Sequence, residues 1–388
     1  MKIIEELLKG EKMEWKPLGE VAELKRGKIL SKTDKGKGDV PFILYGELYT
    51  TYGNYINDIV SFTSDDRVKK VPKSQKGDLL LPISSTTKEA QIGKVSVVNV
   101  DYPIYIGGDA LILSHSQNPS YLMYLMNGSA FEKEKMKCVT GTTIMHLSPQ
   151  KLLKILIPLP PLSVQQRIVE ILDKFTELET ELETELDCRK RQYEYYRNKL
   201  LSYEEMTKKG HKVMMKTLGE VCPPNRGKRL VRNQLTKEGY PVYQNSLHPL
   251  GYYHEMNCRK NMTFVISAGA AGEIGFSYVD FWAADDCYFF NCQKETLNDR
   301  FLYYFLCTQK EKLKAKVRRA SIPRLGRNAI ENLLIPLPPL SEQQRIVDIL
   351  DKFDTLTTSI SEGLPKEIEL RRKQYEYYRN ELLSFAAP

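Results

Sequence analysis

The chain carries one nineteen-residue passage twice, and that duplication constrains the fold more than any other feature. Residues 157–175 read IPLPPLSVQQRIVEILDKF and residues 335–353 read IPLPPLSEQQRIVDILDKF, identical at seventeen positions and offset by 178. The repeat extends beyond the passage. Leu18-Gly19-Glu20-Val21 returns as Leu218-Gly219-Glu220-Val221, Arg26-Gly27-Lys28 as Arg226-Gly227-Lys228 and Pro41 as Pro241, all at offset 200. RQYEYYRNKLLS (191–202) returns as KQYEYYRNELLS (373–384) at offset 182. Such a chain is one unit written twice: a variable globular segment, a proline-rich lead-in and a helix. The stretch from Gly19 to Ile157 is 22 residues longer than that from Gly219 to Ile335, whereas the helical parts differ by four. Divergence is concentrated in the globular parts.

The lead-ins are readable from their chemistry. Prolines in I-P-L-P-P-L fix φ and lack amide donors, so the segment is extended and cannot start a helix early. Ser163 with Gln166, and Ser341 with Gln344, have the spacing of a capping box. Apolar residues follow at 168, 171, 172, 175, 178, 182 and 186, then Tyr193, Tyr196 and Leu200. That spacing predicts a helix of roughly 38 residues, about 57 Å long. So long a helix with one narrow stripe needs a partner, and the second copy offers a matching stripe from Ile346 to Leu382. The expected arrangement is an intramolecular antiparallel pair holding the globular segments at opposite ends. Gly363-Leu364-Pro365 predicts a kink or short break in the second helix. The globular segments mix short β-like runs with helix-like stretches at 119–136 and 299–317, which fits an α/β or α+β module. The expected domains are 1–162, a first spacer helix 163–205, 206–340, and a second spacer helix 341–385.

Composition bounds the function. A chain of 388 residues suits two domains, and a formal charge of +8 is compatible with a nucleic-acid partner without requiring one. Basic residues crowd at 24–28, 225–232 and 314–327, while TELETELETELD (176–187) carries an acid at every second position. No apolar run has signal-peptide or membrane-spanning length, and seven irregularly spaced cysteines frame no zinc site, so a cytoplasmic protein without a structural metal is expected. No Gly-Lys pair is followed by Ser or Thr, which excludes a Walker A loop. VCPPNRG lacks the flanking residues of an amino-methyltransferase site, and the glycines at 269, 272 and 275 read as a turn between strands. His115, His146, His211, His248 and His254 show neither metal nor triad spacing. The chain is expected not to be an enzyme by itself.

Two variable segments alternating with two helices, each introduced by I-P-L-P-P-L-S-x-Q-Q-R-I-V and ending near Q-Y-E-Y-Y-R-N-x-L-L, closely resemble the DNA specificity (S) subunit of type I restriction-modification systems. The resemblance spans essentially the whole chain. It implies two target recognition domains separated by a pair of long antiparallel coiled-coil helices, in internal pseudo-twofold repeat. Each domain would read one half of a bipartite sequence in double-stranded DNA. Two methylation (M) subunits would dock to form an adenine methyltransferase, and restriction (R) subunits would add translocation and cleavage. S-adenosylmethionine, ATP and Mg2+ would belong to those partners, with no cofactor in this chain. Because 18–156 and 218–334 have diverged, the target should not be a palindrome. Two other readings remain: an orphan specificity subunit, or a two-headed scaffold that binds proteins. The three T-x-L-x tetrapeptides at 176–187 are similar to repeats that adjust spacer length in this family, and equally fit a solvated acidic face with leucines inward.

Candidate DNA contacts follow the basic and polar loops. Lys25, Arg26 and Lys28 match Asn225, Arg226 and Lys228 around a shared glycine, with Arg229 next in line, as a phosphate-contacting or merely solvated turn. Ser84, Ser85, Thr86 and Lys88, with Thr142, Thr143 and His146, form polar loops that could read bases or simply form turns. Arg318, Arg319, Arg324 and Arg327 lie in the corresponding stretch of the second segment. At offset 178 His146 is equivalent to Arg324, which makes this loop the leading candidate; arginine there could take guanine or a phosphate. For the M subunits the expected landing face is Gln165 and Arg167, with Gln343 and Arg345.

Overall fold

The computed structural model describes residues 2–28, 30–86, 91–208, 210, 212–359, 361–383 and 385; Lys88, His211 and Ile360 lie outside the described residues. The chain separates into two compact units, residues 1–181 with 369–388, and residues 182–368. Each unit thus combines one globular segment with pieces of both repeated helices, and the division falls within the helical parts rather than at their starts.

In the first unit the run Leu79–Pro82 is apolar at every position because both faces of its strand are covered. It lies in a five-stranded sheet ordered Ala22–Arg26, Ala110–His115, Leu79–Pro82, Ser96–Val98, Tyr55–Ile56. Leu79, Leu81, Leu111 and Leu113 pack on one side, against the helix Pro119–Met126 and the start of the spacer helix. Leu80 and Ile112 pack on the other, with Ile43, Leu48 and Ile106. A four-stranded sheet contributes that second layer, with Ile104–Gly107 parallel to Val40–Leu44. The second unit repeats the arrangement. Val265 faces the helix Asp299–Thr308 and the spacer, while Phe264 and Ile266 meet Phe281, Ala283 and Cys287. Both helix-like stretches are interrupted, at Asn127-Gly128 and at Gln309, and resume as Ser129–Met136 and Lys310–Ala315. The glycine-rich stretch 267–273 is a turn between the strands Met262–Ile266 and Ile274–Ser277, as its composition predicts.

The proline-rich lead-ins are strands. Leu156–Leu159 pairs antiparallel with Glu14–Pro17, and Leu334–Leu337 pairs in the same register with Met214–Thr217. Each helix then begins at a leucine, not after a serine cap: Leu162–Leu200 runs unbroken for 39 residues, and Leu340 opens the second. The capping boxes expected at Ser163 and Ser341 do not form, because the carbonyls of Pro161 and Pro339 already accept the first-turn amides. Pro339 stands at the cap position without a side-chain bond.

The second helix is broken, as Pro365 predicts, into Leu340–Thr358 and Gly363–Leu383. Gly363 takes φ +78 at the restart, and Pro365 falls in the first turn, where its missing N–H costs nothing. Val164, Ile168 and Leu172 are buried, each worth roughly 1.5–3 kcal/mol on transfer from water. Leu178 departs from the expected stripe and is exposed. Within the first unit the helix pair is antiparallel: Phe175 stacks on Tyr378 with ring centroids 5.2 Å apart, and Glu179, further along, takes Arg372 at 2.5 Å. In the second unit Tyr193 and Tyr196 stack on Phe353. Among the described residues no helix is long and apolar enough to cross a membrane.

Candidate nucleic-acid interface

The shared Arg-Gly-Lys turn has a steric origin. Gly27 donates its amide to Ala110 O, and a Cβ there would lie 2.8 Å from Ile106 O. Only glycine lets the strand pass so close to the 106–109 turn, and the passage sets Arg26 over Asp109. Arg26 Nη2 donates to Asp109 Oδ1 at 2.5 Å. Ser84 Oγ donates to Asp109 Oδ2 at 2.8 Å and lies 3.0 Å from His146 Nδ1. The backbone supports this, since Ser84 pairs with His146 and Ser85 with Met145 across a small antiparallel sheet. Three chain segments nominated separately in the sequence therefore converge on one carboxylate. Partial burial works to raise the Asp109 pKa, but the hydrogen bonds from Arg26 and Ser84 and the charge of Arg26 outweigh it and hold the pKa below its usual value.

Around this array Lys25 lies 3.7 Å from Glu23, and Lys28, Thr86, Thr142 and Thr143 are exposed. Ser85 is buried. Ser85 and Thr86 border a cavity of about 1030 Å³ that also meets Lys32, Tyr45 and Tyr49.

The second unit reproduces the backbone frame bond for bond. Gly227 N donates to Cys287 O, Ser267 N to Asp286 O and Leu325 N to Ser267 O; the first unit has Gly27 to Ala110, Ile83 to Asp109 and Leu147 to Ile83. These pairs equate Asp109 with Asp286, Ser84 with Ala268 and His146 with Arg324. Arg324 indeed bridges to Ala268, and to Arg318 within its own hairpin. The side chains differ. Arg226 Nε donates to the main-chain oxygen of Asp285 at 2.9 Å, and Ala268 has no hydroxyl. Lys228, Arg229, Arg318, Arg319 and Arg324 are exposed. Arg327 is held by Glu331 at 2.7 Å.

The glutamines expected to face a partner are instead internal. Gln165 and Gln343 are 0% exposed. Each accepts from the amide of an asparagine, Asn118 at 3.1 Å and Asn298 at 2.9 Å, and donates back to a proline carbonyl, Pro160 or Pro338. The same asparagines donate from Nδ2 to Gln166 and Gln344 at 2.9 Å and cap the following helix through Oδ1. A buried amide that leaves its partner unpaired is costly, so this clamp fixes each reader to its spacer helix. Arg167 donates to Leu7 O at 2.9 Å, and Arg345 makes two bonds to Glu342 at 2.7 Å.

A second link joins the same elements. Tyr124 and Tyr304 donate to Asp173 and Asp351 at 2.6 and 2.5 Å. Burial and the adjoining carboxylates push both phenols far above their usual pKa. In the second unit Arg300 joins, bound to Asp351 and Asp354 at 2.7 Å and packed among Phe276, Tyr303 and Tyr304. Asp173 and Asp351 stand in the duplicated D-K-F, which was the available signal for them; Asp109 had none.

A model of the family described as type I restriction modification DNA specificity domain matches residues 10–187 and again 211–370. A putative type I restriction enzyme specificity subunit from Haemophilus influenzae is 33% identical, the alignment covering 99% of this chain and 98% of that protein. The specificity subunit of a type I restriction enzyme from Escherichia coli is 29% identical over 100% of this chain and 98% of its own length. Among solved structures, the S subunit of a type I restriction-modification system from M. genitalium has the same fold, with TM-score 0.59 over 97% of both chains at 18% identity.

Proposed function

The chain belongs to the type I restriction-modification DNA specificity family, and from that premise we propose that its two readers take the two different halves of an asymmetric, bipartite DNA target. It is the non-catalytic, DNA-recognising component of such systems. The observation that carries the bipartite reading is the shared backbone frame, with Arg26, Ser84 and His146 gathered on Asp109 in one unit and Arg324 beside Ala268 in the other. Base edges in the major groove differ in donors and acceptors, so unlike side chains on like frames select unlike bases.

Methylation subunits dock twice, on equivalent faces. Three pairs of exposed apolar residues stand at equivalent positions in the two copies: Leu156 with Leu334, Leu162 with Leu340, and Tyr195 with Tyr377, the two tyrosines 59% exposed each. These replace Gln165 and Gln343 as the landing residues. S-adenosylmethionine, ATP and Mg2+ act on the partner subunits. The test is methylation mapping in a host that expresses this chain with its methylation subunit. An asymmetric two-part adenine motif that vanishes when this chain is omitted is expected. No motif from an assembled complex would favour the protein-binding scaffold.

A further inference from the structure

We propose that Asp109 and Ser84 act as positioning residues that fix the tautomer of His146, so that the first reader presents a hydrogen-bond acceptor to its half-site while the second presents only donors. The inference rests on the DNA-reading function above and adds the chemical class of base that each reader takes.

The argument follows one proton. Ser84 has a single hydroxyl hydrogen. An ionised carboxylate can only accept, so at 2.8 Å that hydrogen goes to Asp109 Oδ2. Asp109 is kept ionised by the bond from Arg26 on its other oxygen. Ser84 Oγ, its hydrogen committed, meets His146 Nδ1 at 3.0 Å as an acceptor. The neutral imidazole therefore carries its proton on Nδ1, and Nε2 is left as a bare acceptor on an exposed residue. A fixed acceptor in the major groove selects a base with an exocyclic amino group, adenine N6 or cytosine N4.

In the second reader the chain of bonds cannot exist. Ala268 stands where Ser84 does, and Arg324 where His146 does. A guanidinium has donors and no acceptor, so this position selects an acceptor edge, of which guanine O6 and N7 offer the best match. Among the described residues no ion pair holds the Arg324 guanidinium. The two half-sites should thus differ in hydrogen-bonding sign at equivalent positions.

The experiment uses the full chain in complex with its methylation subunit, and duplexes bearing the mapped target. In the half-site of the first reader, each adenine other than the methylated one is replaced by purine, and each cytosine by 2-pyrimidinone, which removes one amino group at a time. One such replacement should weaken binding by the wild-type complex about tenfold, but by less than about twofold in Ser84→Ala and Asp109→Asn. In parallel, nitrogen-15 NMR of the full chain, with His146 assigned through His146→Gln, reads the tautomer directly. An Nδ1–H imidazole is expected in the wild type, lost in Ser84→Ala. An Nε2–H imidazole, or an amino-group dependence unchanged in both variants, overturns the inference while leaving the DNA-reading function intact. Absence of any sequence-specific binding would instead overturn that function.

Discussion

The two readers share a frame and differ in what they hold. Each threads an Arg-Gly-Lys turn against the first residues of a strand, seats a hairpin on the end of another strand by an equivalent backbone hydrogen bond, and caps its helix with an asparagine clamped by a glutamine. On this frame the first reader builds a four-membered array around Asp109. The second leaves its arginines exposed and spends its charge elsewhere, on the Arg300 cluster against the spacer helix. The lesson is a division of labour. Backbone bonds and buried amides fix where a reader sits, and these are duplicated. Exposed side chains decide what it reads, and these have diverged.

That comparison can be broken at several levels. The largest effect is expected at the close-packed glycines. A Cβ at Gly227 would lie 2.1 Å from Ala284 O, against 2.8 Å for the nearest atom at Gly27. Gly227→Ala should therefore destabilise its unit by about 3 kcal/mol or more and Gly27→Ala by about 1–2 kcal/mol, read as urea midpoints; equal costs would deny the tighter approach in the second reader. The clamps come next. Gln165→Ala and Gln343→Ala should each cost about 2–3 kcal/mol by stranding an asparagine amide and a proline carbonyl. The two costs should agree, and a large difference would show that the clamps are not equivalent.

Arg324→Ala is a smaller perturbation, about 1–3 kcal/mol of binding at the second half-site with relaxed base preference there. If the loss were instead uniform across sequences, with a salt slope reduced by about one, Arg324 would be a phosphate contact. Deleting residues 180–183 removes about 6 Å of helix and should shift the preferred half-site spacing by roughly two base pairs at ~3.4 Å each. Methylation at the old spacing would leave TELETELETELD as no more than an acidic helix face.

Much of the frame was legible in the sequence: identity at a fixed offset reports the lead-ins, apolar spacing the long helix, and the backbone chemistry of Pro365 the break before it. The helix caps were misplaced by two residues, Pro339 standing where Ser341 was expected. Serine and glutamine at capping-box spacing are a local signal, and it was overridden by proline carbonyls and by an asparagine 45 or more residues away. For the same reason Gln165 and Gln343 looked like surface residues. Nothing local distinguishes an amide that will be buried from one that will be solvated. The reading array was half legible. Arg26, Ser84 and His146 were each nominated by residue type, but Asp109, which gathers them, bonds residues 25 and 83 positions away. Only the folded chain brings them together.

The central claim, that equivalent frames carry different readers, is tested most directly by making the readers the same. A chain in which residues 218–334 are replaced by a second copy of residues 18–156 should fold on the duplicated lead-ins and clamps, assemble with the methylation subunit, and methylate an inverted repeat of the first half-site. An assembled complex that still methylates the original asymmetric target would contradict the account.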